Sequence, residues 1–79
     1  MSRLAELSIG SAARVVQVHG DGHLEGRLLE MGLTPGADVK LVGCAPLGDP
    51  LELELRGYHL SLRKSEAQCV EVEPSDATQ

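Results

Sequence analysis

Glutamate, histidine and cysteine are the side chains through which small proteins hold divalent transition metals, and this chain sets three of them where such chemistry can be asked about. Glu54 and His59 lie on either side of Arg56-Gly57 in the stretch Leu51-Glu52-Leu53-Glu54-Leu55-Arg56-Gly57-Tyr58-His59-Leu60-Ser61-Leu62. With Arg56-Gly57 as a two-residue turn, the hairpin register sets Glu54 opposite His59 on the solvent face, within reach of one ion or of each other as an ion pair. Cys44 and Cys69 could add thiolates, but they form no C-x-x-C pattern, and free cysteine commonly packs as a small hydrophobe. His19 and His23 have helical spacing, yet Gly20-Asp21-Gly22 between them argues against a shared helix. The expectation for Glu54 and His59 is a cross-strand ion pair; the alternative is an incomplete surface site with Glu54, His59 and Cys44 as candidate ligands, completed by water or a second copy, with no obligate cofactor.

Catalysis has less support. His59 and Ser61 share a strand face, but no carboxylate orients them, and no serine, histidine and acid form a recognisable set. The phosphate-binding pattern G-x-x-x-x-G-K-[ST] is absent. The chain reads as a non-enzyme.

The elements that must position these groups are short. Leu4 and Leu7 suit one helical turn, and Arg14 to His19 reads as a first strand whose adjacent Val15 and Val16 break alternation and imply a bulge. Asp21 is placed to cap a helix whose apolar stripe is Leu24, Leu28 and Met31. Gly32 stops that helix in the left-handed conformation, Leu33 packs back on Leu28, and Thr34-Pro35-Gly36 turns the chain. Gly32, Pro35, Gly36 and Gly57 are thus expected as backbone-geometry residues. A second strand runs from Asp38 to Ala45 with Cys44 outward, and the loop Ala45-Pro46-Leu47-Gly48-Asp49-Pro50 is stiffened by its prolines. The hairpin pairs Leu55 with Tyr58, Glu54 with His59, Leu53 with Leu60 and Leu51 with Leu62. A turn at Lys64 to Gln68 leads to a last strand, Val70 to Val72. About five strands with one short helix after the first describe a small, mainly β, partly open barrel. Residues 1–73 are expected to form the one domain and 74–79 a disordered tail.

Composition narrows the classes. With 79 residues the chain holds one small domain, and such a domain buries only ~60% of its unfolded surface, so a partner or weak self-association would help it. A formal net charge of −5 disfavours polyanions and acidic partners in general, and Tyr58, the sole aromatic, cannot build a base-stacking platform or a proline-binding groove. Nucleic acid is therefore not expected, and an RNA or ribosome adaptor is the weakest alternative. No apolar run approaches the length of a signal peptide or membrane span, which suggests a cytoplasmic chain with reduced thiols and no membrane insertion of its own.

Three segments in series, Arg27-Leu28-Leu29-Glu30-Met31-Gly32-Leu33-Thr34-Pro35-Gly36, Ala45 to Pro50, and Arg56-Gly57-Tyr58-His59-Leu60-Ser61-Leu62-Arg63, resemble the ferrous iron transport protein A (FeoA) family in order and spacing. The resemblance implies an SH3-like barrel. It also implies a cytosolic accessory of FeoB, the Fe²⁺ permease with a GTPase-bearing cytosolic part, recruited to the inner membrane by that partner. The same domain also forms the C-terminal part of iron-dependent repressors; with Met1 at the domain's start, a standalone protein is expected. Under this reading Arg27 and Leu29 on the helix exterior and Leu47 at the loop tip are the expected partner contacts. Fe²⁺ or Zn²⁺ is the metal expected at the partial surface site, and a metal-sensing module is the alternative function.

Overall fold

The computed structural model describes residues 2–74. Six strands form one antiparallel sheet: β1 (Ser2–Arg3), β2 (Ala12–Val18), β3 (Asp38–Cys44), β4 (Leu51–Leu55), β5 (Tyr58–Leu62) and β6 (Val70–Pro74), in the order β1-β6-β2-β3-β4-β5. A 3₁₀ turn (Leu4–Glu6), helix α1 (Gly22–Glu30) and the short helix α2 (Lys64–Ala67) fill the connections. The additional strand is β1. It has only Ser2 opposite Val72 and Arg3 opposite Glu71, too few residues to carry an alternation. Consequently α1 follows the second strand rather than the first. Pro74 closes β6 opposite Ala13 instead of opening a tail, and the remaining tail residues, 75–79, lie outside the described residues.

β2 begins at Ala12, two residues earlier than its β-branched run implies, because Ala12 and Ala13 pair with Lys40 and Val39, and it ends at Val18, one residue before His19. The bulge falls where the adjacent valines put it. Val15 faces Val72 and Gln17 faces Glu71, so Val16 is left over, and the shift lets both Val15 and Val18 turn inward. A second shift lies between Leu41 and Gly43 opposite β4, leaving Val42 partly exposed. The β4–β5 register is Leu55–Tyr58, Glu54–His59, Leu53–Leu60 and Leu51–Leu62, as the alternation requires. Arg56 and Gly57 both have positive φ (53° and 87°), the geometry of a two-residue hairpin turn whose twist matches the strands.

The core is aliphatic. Leu4, Leu28, Leu33, Leu53, Leu55, Leu62, Val15, Val39, Val70 and Val72 are fully buried. In α1 only Leu28 is fully buried, with Leu24, Leu29 and Met31 half-buried beside it, so the apolar stripe is wider than a single row. Asp21 caps the helix, its Oδ1 accepting from Leu24 N at 2.8 Å. At the other end Gly32 N bonds Leu29 O at 3.0 Å and Leu33 N bonds Leu28 O at 3.2 Å. These two bonds form the paired arrangement of a glycine-terminated helix, and Gly32 accordingly has φ +101°. Two shorter elements share one device: Glu6 and Glu66 reach back to the backbone N–H of Arg3 and Arg63, at 2.9 and 3.0 Å.

Gly32 answers a second demand besides its dihedral. A Cβ there would lie 2.7 Å from the Tyr58 hydroxyl and 2.9 Å from Leu55 Cδ2. The Tyr58 hydroxyl sits there because it donates to Met31 O at 2.6 Å, tying the end of α1 to the start of β5. Across the barrel, His19 follows β2 with its N–H on Cys69 O at 2.7 Å, and its Nε2 donates to Glu71 Oε1 at 2.8 Å. That hydrogen bond, aided by the charges of His19 and Arg3 against a smaller burial penalty, holds the Glu71 carboxyl below the usual glutamate range.

Two outcomes follow for stability. Gly32→Ala should cost about 2–4 kcal/mol in chemical denaturation, combining backbone strain with a forced contact; a cost within experimental error would show that the Tyr58 latch yields freely. Because the folded Glu71 pKa is depressed, its contribution is present above the ordinary glutamate value and lost as pH falls through the lowered one. The stability gap between wild type and Glu71→Gln should therefore be open at about pH 5 and close in more acid solution; a gap that does not narrow there would contradict it.

Candidate functional site

Of the three expected contacts, the structure sets Arg27 on a cleft that neither Leu29 nor Leu47 lines. Arg27 projects from the last turn of α1, half exposed, with Nη1 3.2 Å from Glu66 Oε2 on α2. Together with Met31, Pro50, Ser61, Arg63 and Glu66 it lines an open cleft of about 420 Å³. Met31, one of its lining residues, is tied to β5 by the Tyr58 hydroxyl on its carbonyl oxygen. Pro50 enters from the Ala45–Pro50 loop, so the segment carrying Leu47 also supplies one wall.

That loop is braced. Gly48 N bonds Ala45 O at 2.7 Å, Ala45 N bonds Pro50 O at 3.0 Å, and Asp49 Oδ1 accepts from Lys64 N at 2.9 Å. The bracing holds Leu47 in solvent at 96% exposure, the most exposed large apolar residue in the described chain. An apolar side chain presented on a preordered loop loses little entropy when covered. Leu29, which by its spacing could either widen the apolar stripe or be exposed as a contact, packs half-buried against the core and offers only part of its side chain outward.

Of the metal-site candidates, Glu54 and His59 are cross-strand neighbours and Cys44 lies apart from both. Glu54 and His59 are opposite each other in register, but they line separate hollows. Glu54 shares one of about 200 Å³ with Lys40, Arg56 and Asp38. His59 shares one of about 240 Å³ with Glu52, Leu60 and Ser61. Lys40 also stands opposite Glu54 from β3, a resident cation beside the carboxylate. Cys44 is exposed but faces Leu51, at the far end of β4. Among the described residues no three His, Cys, Asp or Glu side chains gather as a metal-holding group, and no ion pair joins Glu54 to His59. The donors present do not make a closed four-ligand site.

Sequence reasoning missed Tyr58 as the latch and His19 as the partner of Glu71. Each joins residues distant in the chain, 27 and 52 positions apart, and no local pattern announces such a pair. No described helix is long and apolar enough to cross a membrane.

Comparison with known proteins agrees with this geometry. The FeoA domain model matches residues 2–74. A curated relative, an Fe(2+) transport protein A/Fe(2+) transporter FeoB fusion protein of Porphyromonas gingivalis, is 44% identical over 71 residues, which is 90% of this chain and 8% of the fusion. The chain thus spans less than a tenth of that relative's length. Among solved structures, an FeoA-like protein from Clostridium acetobutylicum superposes with TM-score 0.86 at 40% identity, covering 92% of this chain and 85% of that one. FeoA of Stenotrophomonas maltophilia complexed with zinc, described as a prokaryotic SH3 domain protein, gives TM-score 0.80 at 32% identity, covering 92% and 91%. With a family match across the described residues and an SH3-like barrel in common with these relatives, the chain belongs to the FeoA family, which is associated with ferrous iron transport.

Proposed function

We propose that this chain is a non-enzymatic cytosolic accessory of ferrous iron uptake that docks on the cytosolic, GTPase-bearing part of an FeoB-type permease and regulates transport. The observation that carries the reading is the relative in which a domain 44% identical to this one is fused to the FeoB transporter. Covalent fusion fixes two modules at high effective concentration, an arrangement that serves partners which must meet. The surface supports docking: an exposed Leu47 on a braced loop, and Arg27 on the adjoining cleft, with part of Leu29 on the same helix. An apolar anchor rimmed by charge is a common form for a transient contact.

Leu47→Asp is the direct test of this surface. Because the side chain is almost wholly in solvent, the variant should keep its thermal midpoint, while its affinity for the purified cytosolic domain of the permease falls about tenfold. Titrations should be run with and without guanine nucleotide, since a regulator is expected to distinguish the two states. Equal affinity of Leu47→Asp and wild type would remove the loop from the contact, and no binding in either nucleotide state would remove the docking reading.

A second reading rests on the zinc complex of the Stenotrophomonas maltophilia relative: weak transition-metal binding at the surface, centred on His59 with Glu54 or Glu52 beside it. Calorimetric titration with Zn²⁺, and anaerobically with Fe²⁺, should then give a weak site lost in His59→Ala. Undiminished binding by that variant would place any metal elsewhere.

A further inference from the structure

β5 is the last strand of the sheet, and its outer edge carries no neighbour among the described strands. In a hairpin closed by a two-residue turn, Leu55 and Tyr58 are the first hydrogen-bonded pair, so Leu60 and Leu62 also bond inward to β4. The backbone N–H and C=O groups of His59 and Ser61 therefore point away from the sheet. No other backbone group takes them among the described residues.

Exposed edges are ordinarily blunted by lysine, proline or a bulge. Tyr58-His59-Leu60-Ser61-Leu62 has no charged residue, no proline and no register shift against β4. Two hollows adjoin this edge, and Ser61 lines both: the Arg27–Arg63 cleft and the Glu52–His59 hollow. A strand laid along β5 would bring side chains of one face alongside these hollows.

Charge selects the occupant. The chain's net charge is −5, but it is unevenly spread. In the cleft Glu66 already pairs with Arg27, which leaves Arg63 without an ion-pair partner among the described residues, and Arg56 precedes β5 and Lys64 follows it. A second copy pairing antiparallel through β5 would bring Arg56 of each protomer beside Arg63 and Lys64 of the other, which like-charge repulsion opposes. We propose that β5 is a strand-addition site for an extended segment of a partner protein, which pairs with the backbone of His59 and Ser61 and places a carboxylate side chain in the Arg27–Arg63 cleft. This recognition mode stands apart from the permease reading, since any protein offering such a segment would satisfy it.

The test uses ¹⁵N-labelled full chain and two acetylated, amidated heptapeptides, one alternating valine with glutamate and one alternating valine with glutamine. The expected result is that the His59 and Ser61 amides shift and gain exchange protection, with the glutamate peptide binding about threefold to fivefold more tightly. Ser61→Pro, whose lost N–H faces outward and leaves the β4 ladder intact, should abolish binding. Arg63→Ala, at an exposed side chain, should keep binding and lose the preference for glutamate. The proposal is overturned if neither peptide moves those amides at millimolar concentration, or if Arg63→Ala leaves the preference unchanged. It is also overturned if the same amides shift with protein concentration alone, which would assign the edge to a second copy.

Discussion

The hydrogen bond from the Tyr58 hydroxyl to Met31 O, 2.6 Å long, decides where the helix ends relative to the barrel. It forms only because the next residue is glycine: the hydroxyl and Leu55 occupy the space that any Cβ at position 32 would need. The same glycine has the positive φ that lets Gly32 N and Leu33 N close the helix end on Leu29 O and Leu28 O. Helix stop, inward packing of Leu33 and attachment to β5 are thus one arrangement rather than three. Beside it lies the cleft lined by Arg27 and Met31 from the end of α1 and by Ser61 and Arg63 from β5 and the residue after it.

The parts of this structure that sequence makes legible are those whose cause is local. The β4–β5 register follows from strict alternation on both sides of Arg56-Gly57, and a slip by one residue would expose every leucine in the hairpin. Adjacent Val15 and Val16 announce a bulge because two neighbouring apolar residues cannot both face inward on a regular strand. The parts that sequence hides are non-local. β1 is two residues held only by its partner β6, and the register shift near Val42 is imposed by the course of β4. His19 finds Glu71 across two strands.

The candidate site shows the same division. Glu54 and His59 are opposite each other as the alternation requires, yet neighbouring register does not make a shared site: Lys40 and Arg56 surround one, Glu52 and Ser61 the other. Leu47 is where a stiff loop tip should be, whereas Leu29 is drawn half into the core because the apolar stripe of α1 spans more than one row. Arg27 joins the cleft through Glu66, a residue on α2 that no helix-local reading could supply.

A domain with one aromatic residue and an aliphatic core has its chemistry on the outside, in a braced apolar tip, a cationic cleft and an open strand edge. These features fit the proposed docking role, and a relative of the same family carries its domain fused to the FeoB transporter. The most direct measurement is Fe²⁺ uptake under iron limitation in cells lacking this chain, with the permease expressed at its normal level. The account predicts that uptake changes on deletion and returns when the wild-type chain is restored; uptake identical with and without the chain would contradict it.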